Sequence, residues 1–343
     1  MAYTTINKST EHFNTKLYNG TGSSNSITGV GFEPSFTWIK RRNSATNHHL
    51  HNAVSGATKV LYSNSTAAES TDAQKLYSFD SDGFTVGTNG DANNSSGTFV
   101  SWNWKAGTTS GLSGGTITPS SYSINSTGGF GIYKYTGTGS AGTIASGLPS
   151  VKCFIIKALD ASSNGWVFYH QDLGTNKYLQ LDETSTAYTG TSQFNDTAPT
   201  TSATNSLISV GTAGSTNNSG RDYIMYAFSE LSGYSKFGSY TGIDSSDNSF
   251  VYCGFAPSWI MFKRTDSTNS WGIFDNKRDA LNPNQAVLDA ENNNAESSGA
   301  DVDFLSNGFK IRSASGLNGD GQYIYMAFGQ SLVGSNNVPA TAR

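Results

Sequence analysis

Gly31 to Arg42 reads G-F-E-P-S-F-T-W-I-K-R-R, and Gly254 to Arg264 reads G-F-A-P-S-W-I-M-F-K-R. A degenerate copy, G-L-P-S-V-K-C-F-I-I-K, runs from Gly147 to Lys157. The same interval separates Pro34 from Pro257 and Lys40 from Lys263, so the outer copies align without a gap, whereas the middle copy has lost one residue before its proline. Each block follows a Tyr-x-Gly signal (Tyr18-Asn19-Gly20, Tyr135-Thr136-Gly137, Tyr240-Thr241-Gly242) and precedes an aromatic strand: Phe99 to Trp104, Tyr223 to Phe228, Tyr323 to Phe328. A period of roughly 100 residues is too long for a solenoid repeat and is the size of a small domain.

Composition sets the class. Only 13% of the 343 residues are charged, Gly is abundant at 38, and Ser, Thr and Asn make up much of the rest. Disorder is excluded by 17 Tyr, 19 Phe and 6 Trp in short alternating runs, which read as strands. The chain is predicted to be all-β, with the polar excess in turns and solvated sheet faces. Net charge is -4 and no basic stripe is interleaved with aromatics, so no nucleic-acid partner is expected. The longest apolar runs fall far short of the ~20 residues that span a bilayer, so no membrane insertion is expected. The N-terminus lacks the charged and apolar regions of a secretory signal. Cys153 and Cys253 sit at different offsets in their units and read as half-buried free thiols.

The predicted organisation is a polar lead at 1–15, a first unit at 16–107, a Gly/Ser/Thr linker at 108–129, a second unit at 130–231, a third at 236–332 and a tail at 333–343. The linker is expected to be flexible, with a short strand around Tyr122 to Ile124, and to let the first unit sit apart from the other two. Asp82-Gly83 and Asn307-Gly308 each lie between alternating runs and predict a type I′ hairpin with positive φ at Gly83 and Gly308. Helices are scarce, with at most a turn or two around 65–74 and 284–295.

Chemical motifs are weak. Gly137 to Gly142, G-T-G-S-A-G, matches a dinucleotide fingerprint in form, but the residues after it cannot carry the required helix. No carboxylate pair stands out as a general acid and base, so no catalytic residues and no cofactor are assigned. His48-His49-Leu50-His51 is the one local cluster of imidazoles; without a Cys or acidic partner nearby it reads as a strand or loop with one packed ring, not as a metal site. Trp102 and Trp104 share a strand face with Val100 and read as core. Trp166, Tyr169, His170 and Trp271 lie beside Gly- and Asn-rich turns and are the candidates for a carbohydrate platform.

The runs G-F-E-P-S-F-T-W-I-K-R-R, S-F-D-S-D-G-F-T-V-G, W-N-W-K-A-G, G-Y-S-K-F-G-S-Y-T-G and V-D-F-L-S-N-G-F-K-I-R resemble virion structural proteins of marine and environmental tailed phages, the tail fibre and appendage type. That resemblance implies three tandem β-sandwich domains of concanavalin-like jelly-roll type, placed in the virion after assembly in the bacterial cytoplasm. It also implies a homo-oligomer, a trimer by analogy with phage fibres, in contact with other virion proteins. Two roles follow from it: a non-enzymatic fibre or appendage that touches a host-surface glycan, or a structural protein decorating capsid or tail.

Overall fold

The structure, a computed structural model, describes residues 4–195, 206–246, 249–314 and 316–331. The predicted tail at 333–343 lies outside them. Unit one contains β1 (Phe13–Asn19), β2 (Asn25–Thr28), β3 (Phe36–Arg41), β4 (His49–Asn52), β5 (Lys59–Val60), β6 (Ser70–Thr71), β7 (Leu76–Asp80), β8 (Gly83–Val86) and β9 (Thr98–Trp104). Unit two, with the segment before it, contains β10 (Ser121–Asn125), β11 (Phe130–Thr136), β12 (Gly142–Ala145), β13 (Val151–Ala158), β14 (Val167–His170), β15 (Lys177–Gln180), β16 (Tyr188–Thr189), β17 (Leu207–Val210) and β18 (Asp222–Ser229). Unit three contains β19 (Ser235–Gly242), β20 (Ser249–Tyr252), β21 (Phe255–Arg264), β22 (Gly272–Asp275), β23 (Leu288–Asp289), β24 (Val302–Leu305), β25 (Gly308–Ile311) and β26 (Gly321–Ser331).

One strand order recurs three times. The large sheets run β1-β9-β3-β4, β11-β18-β13-β14 and β19-β26-β21-β22, and smaller sheets β2-β8-β7, β12-β17 and β20-β25-β24 accompany them. The strand carrying each repeated Pro block (β3, β13, β21) therefore occupies one place in its sheet, between the last strand and the fourth. Between large and small sheet lies a separate core in each unit: Ile27, Phe84 and Phe99 in unit one, Ile144, Phe154 and Ile208 in unit two, Val251, Phe309 and Tyr325 in unit three. This is the predicted all-β sandwich class.

The Tyr-x-Gly signal has a local cause. Tyr18, Tyr135 and Tyr240 stack on Phe99, Tyr223 and Tyr323, with ring centroids 4.9, 5.2 and 4.9 Å apart. Each hydroxyl donates to the carbonyl just before a buried Asn: Ala92 at 2.8 Å, Thr216 at 2.6 Å and Leu317 at 2.7 Å. Those asparagines, Asn93, Asn217 and Asn318, turn inward and bond loop backbone, as Asn217 does to Ser140 and Gly211 carbonyls at 2.7 Å. The glycine is required because a Cβ on Gly20, Gly137 or Gly242 would lie 2.0 to 2.2 Å from a carbonyl oxygen of the facing turn.

The three sandwiches are not strung apart. The second faces of the large sheets meet in one common core that takes Trp102 and Trp104 from unit one, Phe130, Tyr226 and Phe228 from unit two, and Phe237, Trp259 and Phe328 from unit three. Hence Tyr323 to Phe328 is apolar on both faces: one serves its own sandwich, the other the shared centre. The expectation of a first unit set apart is overturned. So is the flexible linker, since Thr116 and Ile117 donate to the Thr143 carbonyl at 2.8 and 2.9 Å, while the short strand expected around Tyr122 to Ile124 is present as β10, paired with β11. Unit one also starts earlier than position 16, with β1 beginning at Phe13.

Closure is cyclic. Leu61 to Thr66, Leu179 to Thr184 and Leu288 to Asn293 form one type of turn, in place of the helical turns expected at 65–74 and 284–295. The fourth residue of each turn, Asn64, Asp182 or Glu291, accepts from the backbone N–H of His48, Trp166 or Trp271 at 3.0, 2.7 and 3.0 Å. The sixth accepts from a lysine of the next unit: Lys157 to Thr66 at 3.0 Å, Lys263 to Thr184 at 3.1 Å and Lys40 to Asn293 at 3.4 Å. Backbone bonds repeat the cycle, from Glu69 to Leu159, Ala187 to Thr265 and Glu296 to Arg42, all at 2.7 to 2.8 Å. Burial pushes all three lysines down to about 8, and the carbonyls around each ammonium replace water as its acceptors.

The two hairpins exist, but one residue out of the predicted register. Asp80 pairs with Gly83 and Leu305 with Gly308, so the turn residues are Ser81-Asp82 and Ser306-Asn307. Gly308 does not have positive φ, and Gly83, at φ 152, opens its strand instead of sitting inside the turn. The glycines are needed for a different reason: a Cβ would lie 1.9 Å from the Ile27 oxygen at Gly83 and 2.0 Å from the Val251 oxygen at Gly308. Gly83→Val and Gly308→Val are therefore expected to destabilise by about 1–3 kcal/mol through overpacking against β2 and β20. Gly214→Ala, whose nearest neighbours would be at 3.8 and 4.0 Å, should leave the melting temperature unchanged. Equal melting temperatures for all three variants in calorimetry would refute the close approach.

Candidate functional site

The four residues predicted to form a sugar platform are interior. Trp166 and Trp271 are fully buried, and their indole N–H groups reach across seams: Trp166 to the Tyr62 and Ser65 carbonyls at 2.9 and 3.2 Å, Trp271 to those of Gln180 and Glu183 at 3.1 Å. Tyr169 stacks on Phe154 at 4.8 Å in the core of unit two. His170 accepts from the Asp172 N–H through Nδ1 at 3.2 Å, which leaves Nε2–H to donate to the Tyr325 carbonyl at 3.2 Å. None offers a ring face to a ligand; the Gly- and Asn-rich stretches beside them are seam turns.

The imidazole cluster is also more deeply buried than expected. His48, His49 and His51 are all fully enclosed on or beside β4, at positions that hold Trp166, Val167 and Tyr169 in unit two. His48 Nδ1 accepts from the Trp38 indole at 2.8 Å and His51 Nδ1 lies 2.9 Å from the Ala57 carbonyl. Among the described residues no group of three or more His, Cys, Asp and Glu is arranged to hold a metal ion. Both cysteines are buried free thiols, and the strand β12 follows the G-T-G-S-A-G run directly.

Where the units differ on the outside is more informative. On β20 the period of two turns Val251 inward and Phe250 and Tyr252 outward, and those two rings are 47% and 58% exposed. Across the sheet, Phe250 faces Lys310 and then Asp303, while Tyr252 faces Gly308 and then Leu305. Gly308 contributes no side chain, so a notch floored by backbone separates the Tyr252 ring from Leu305. Beyond β24, the Asn282 amide brackets Phe304, donating to its carbonyl at 2.8 Å and accepting from its N–H at 2.9 Å. Leu281, the residue before Asn282, is 77% exposed. Arg312 lies 3.5 Å from Asp303. One row of the face is thus charged and the other apolar.

The matching face of unit one is polar and carries one large exposed ring, Tyr77 at the bulge of β7, 63% exposed. Ser26 and Thr28 stand where Phe250 and Tyr252 do, and Ser26, Thr85, Asp80 and Ser78 satisfy one another at 2.7 to 2.8 Å. In unit two the linker covers the edge of β12, with Gly115 bridged to Ile144. A sequence signal for the third face was present in Ser249-Phe250-Val251-Tyr252, apolar at consecutive positions where unit one reads Asn25-Ser26-Ile27-Thr28.

No curated protein and no solved structure matches this chain. A family described as a domain of unknown function matches residues 8–331, a span that takes in all three units and their common core. The three-unit body as a whole therefore belongs to the DUF7483 family.

Proposed function

We propose that this protein is a non-catalytic virion component of a tailed phage, a tail fibre or related appendage that contacts a host-surface glycan through the outer face of its third unit. The observation that supports this reading is the asymmetry among three equivalent strands: β20 exposes two aromatic rings side by side, while β2 carries Ser26 and Thr28 in their place and the edge of β12 is covered. An aromatic ring beside polar side chains suits a pyranose, whose C–H face stacks on the ring while its hydroxyls reach Lys310 and Asp303. The proposal includes a homo-oligomer on the particle, a trimer by analogy with phage fibres. Because each chain closes its own three-part core, such a trimer forms through surface contacts and not by sharing interior strands.

Tyr252→Ala and Phe250→Ala remove exposed rings and should leave the melting temperature nearly unchanged. With polysaccharide purified from the host cell surface, each is expected to weaken binding at least about ten-fold in titration calorimetry. The wild-type protein should release no reducing sugar. Unchanged polysaccharide binding combined with poorer incorporation into particles would overturn the glycan reading in favour of capsid or tail decoration.

A further inference from the structure

The first strand of each unit lies toward a seam, and its outer edge is treated differently in the three units. In antiparallel pairs, alternate residues exchange hydrogen bonds with the neighbour and the others turn their N–H and C=O away. In unit two, Gly137 N–H donates to Arg221 at 2.8 Å, which fixes the parity and turns Phe130, Ile132 and Lys134 outward. There β10 meets them, with Asn125, Ser123 and Ser121 directly opposite. In unit three the outward groups of Ser235 and Phe237 are taken by unit two: Ser235 N–H donates to the Leu231 carbonyl at 3.0 Å, and the Phe237 carbonyl accepts from the Gln171 amide at 2.9 Å.

Unit one has neither device. Gly20 N–H donates to Gly97 and Lys105 N–H to His12, both at 2.9 Å, so the even-numbered residues of β1 serve β9 and Phe13, Thr15 and Leu17 face outward. Among the described residues no group pairs with their backbone. Thr15 is buried, yet its Oγ1 has no hydrogen-bond partner. A cleft of about 240 Å³ opens here between units one and three, lined by Ser9, Asn14, Thr15, Ser258 and Lys277.

We propose that the outer edge of β1 is a strand-addition site, where an extended segment of a partner polypeptide pairs antiparallel with Phe13 to Leu17 as β10 pairs with β11. The template specifies the chemistry of the segment. Ser123 and Asn125 oppose Ile132 and Phe130, so small hydroxyl or amide side chains belong opposite Thr15 and Phe13, and Lys277 in the cleft favours a neutral or acidic segment over a basic one. Main-chain bonds supply affinity in such additions, and alternate side chains supply selectivity. The site is independent of the glycan-contacting face and would hold the body to its neighbour in the particle.

The probe is a synthetic peptide of residues 120–126, S-S-Y-S-I-N-S, added to the intact protein. Hydrogen exchange at the Phe13, Thr15 and Leu17 amides should slow at least about ten-fold when the peptide is in excess. Thr15→Pro removes an outward N–H that β9 does not use, so it should weaken peptide binding at least about ten-fold with the ladder intact. Thr15→Val, which removes only the unpartnered hydroxyl, should bind like wild type. Amide protection elsewhere, no binding at ~1 mM peptide, equal affinity of the Pro variant, or occupation of β1 by a second copy of this chain would each overturn the proposal. Should Thr15→Pro fail to fold, amide protection in the wild-type protein decides alone.

Discussion

Trp104→Ala is expected to destabilise the whole chain by about 3–5 kcal/mol and to lower a single melting transition shared by all three units. The Trp104 ring is almost fully buried and meets six others: Phe13 at 4.8 Å, Phe36 at 5.3 Å, Phe130 at 6.3 Å, Phe228 at 6.2 Å, and Trp259 and Phe328 at 5.8 Å. Two of these rings belong to unit two and two to unit three, so the cavity left by alanine has walls from every sandwich. Neighbours fixed in three sheets cannot collapse into it without moving those sheets. Calorimetry with ring-specific probes in each unit checks the expectation. Three separate transitions, or a loss confined to unit one, would show that the sandwiches fold independently and that the common core is a contact without cooperativity.

Acid should weaken the fold well before ordinary carboxylate titration is complete. Burial pushes His51 and His170 down to about 4 and lowers His48 and His49 well below the usual imidazole value, with Lys40 and Lys75 adding repulsion at the latter pair. For each, the unfolded chain takes up a proton near pH 6.5 that the folded chain refuses until lower pH. Stability is therefore fully present above pH 6.5 and is lost as the pH falls toward 4, at up to about 1.4 kcal/mol per pH unit for each histidine. For His51 and His170 the loss across that window is about 3 kcal/mol each. Half-buried Asp182, Asp289, Glu69 and Glu291 oppose this: desolvation raises their folded values, so they take up protons sooner in the folded state. His51→Phe separates the two effects, since Phe274 fills the same position in unit three. Denaturant titrations from pH 7 to 4 should show a flatter decline for the variant; parallel curves would mean that His51 is not the group refusing the proton.

The repeat was legible because it is a local property. The Pro blocks, the Tyr-x-Gly signals and the aromatic last strands each mark a fixed place in the strand order of one unit, and Trp102 and Trp104 declared themselves interior by sharing a face with Val100. The turn Leu61 to Thr66 and its two counterparts escaped notice because they share only an opening core leucine and a polar fourth residue, while the sixth residue need only offer a carbonyl to the lysine of the next unit. The Asp-Gly and Asn-Gly pairs located the hairpins, yet their register was fixed by the carbonyls of β2 and β20, which lie outside any local window.

By itself, the sequence determined the all-β class, the threefold repetition and the strands that carry it, since alternation and turn chemistry report which residues avoid water. The tertiary structure alone decided what covers them. Burial looks the same in sequence whether a tryptophan packs in its own sandwich or spans a seam, so Trp166 and Trp271 read as surface platforms and are inter-unit struts. The repeated lysine of W-I-K-R gave no sign that its partner carbonyl comes from the next unit. Only closure of the ring places Phe250 and Tyr252 in solvent and leaves the edge of β1 unpaired among the described residues, because exposure depends on which surfaces remain after three sheets have met.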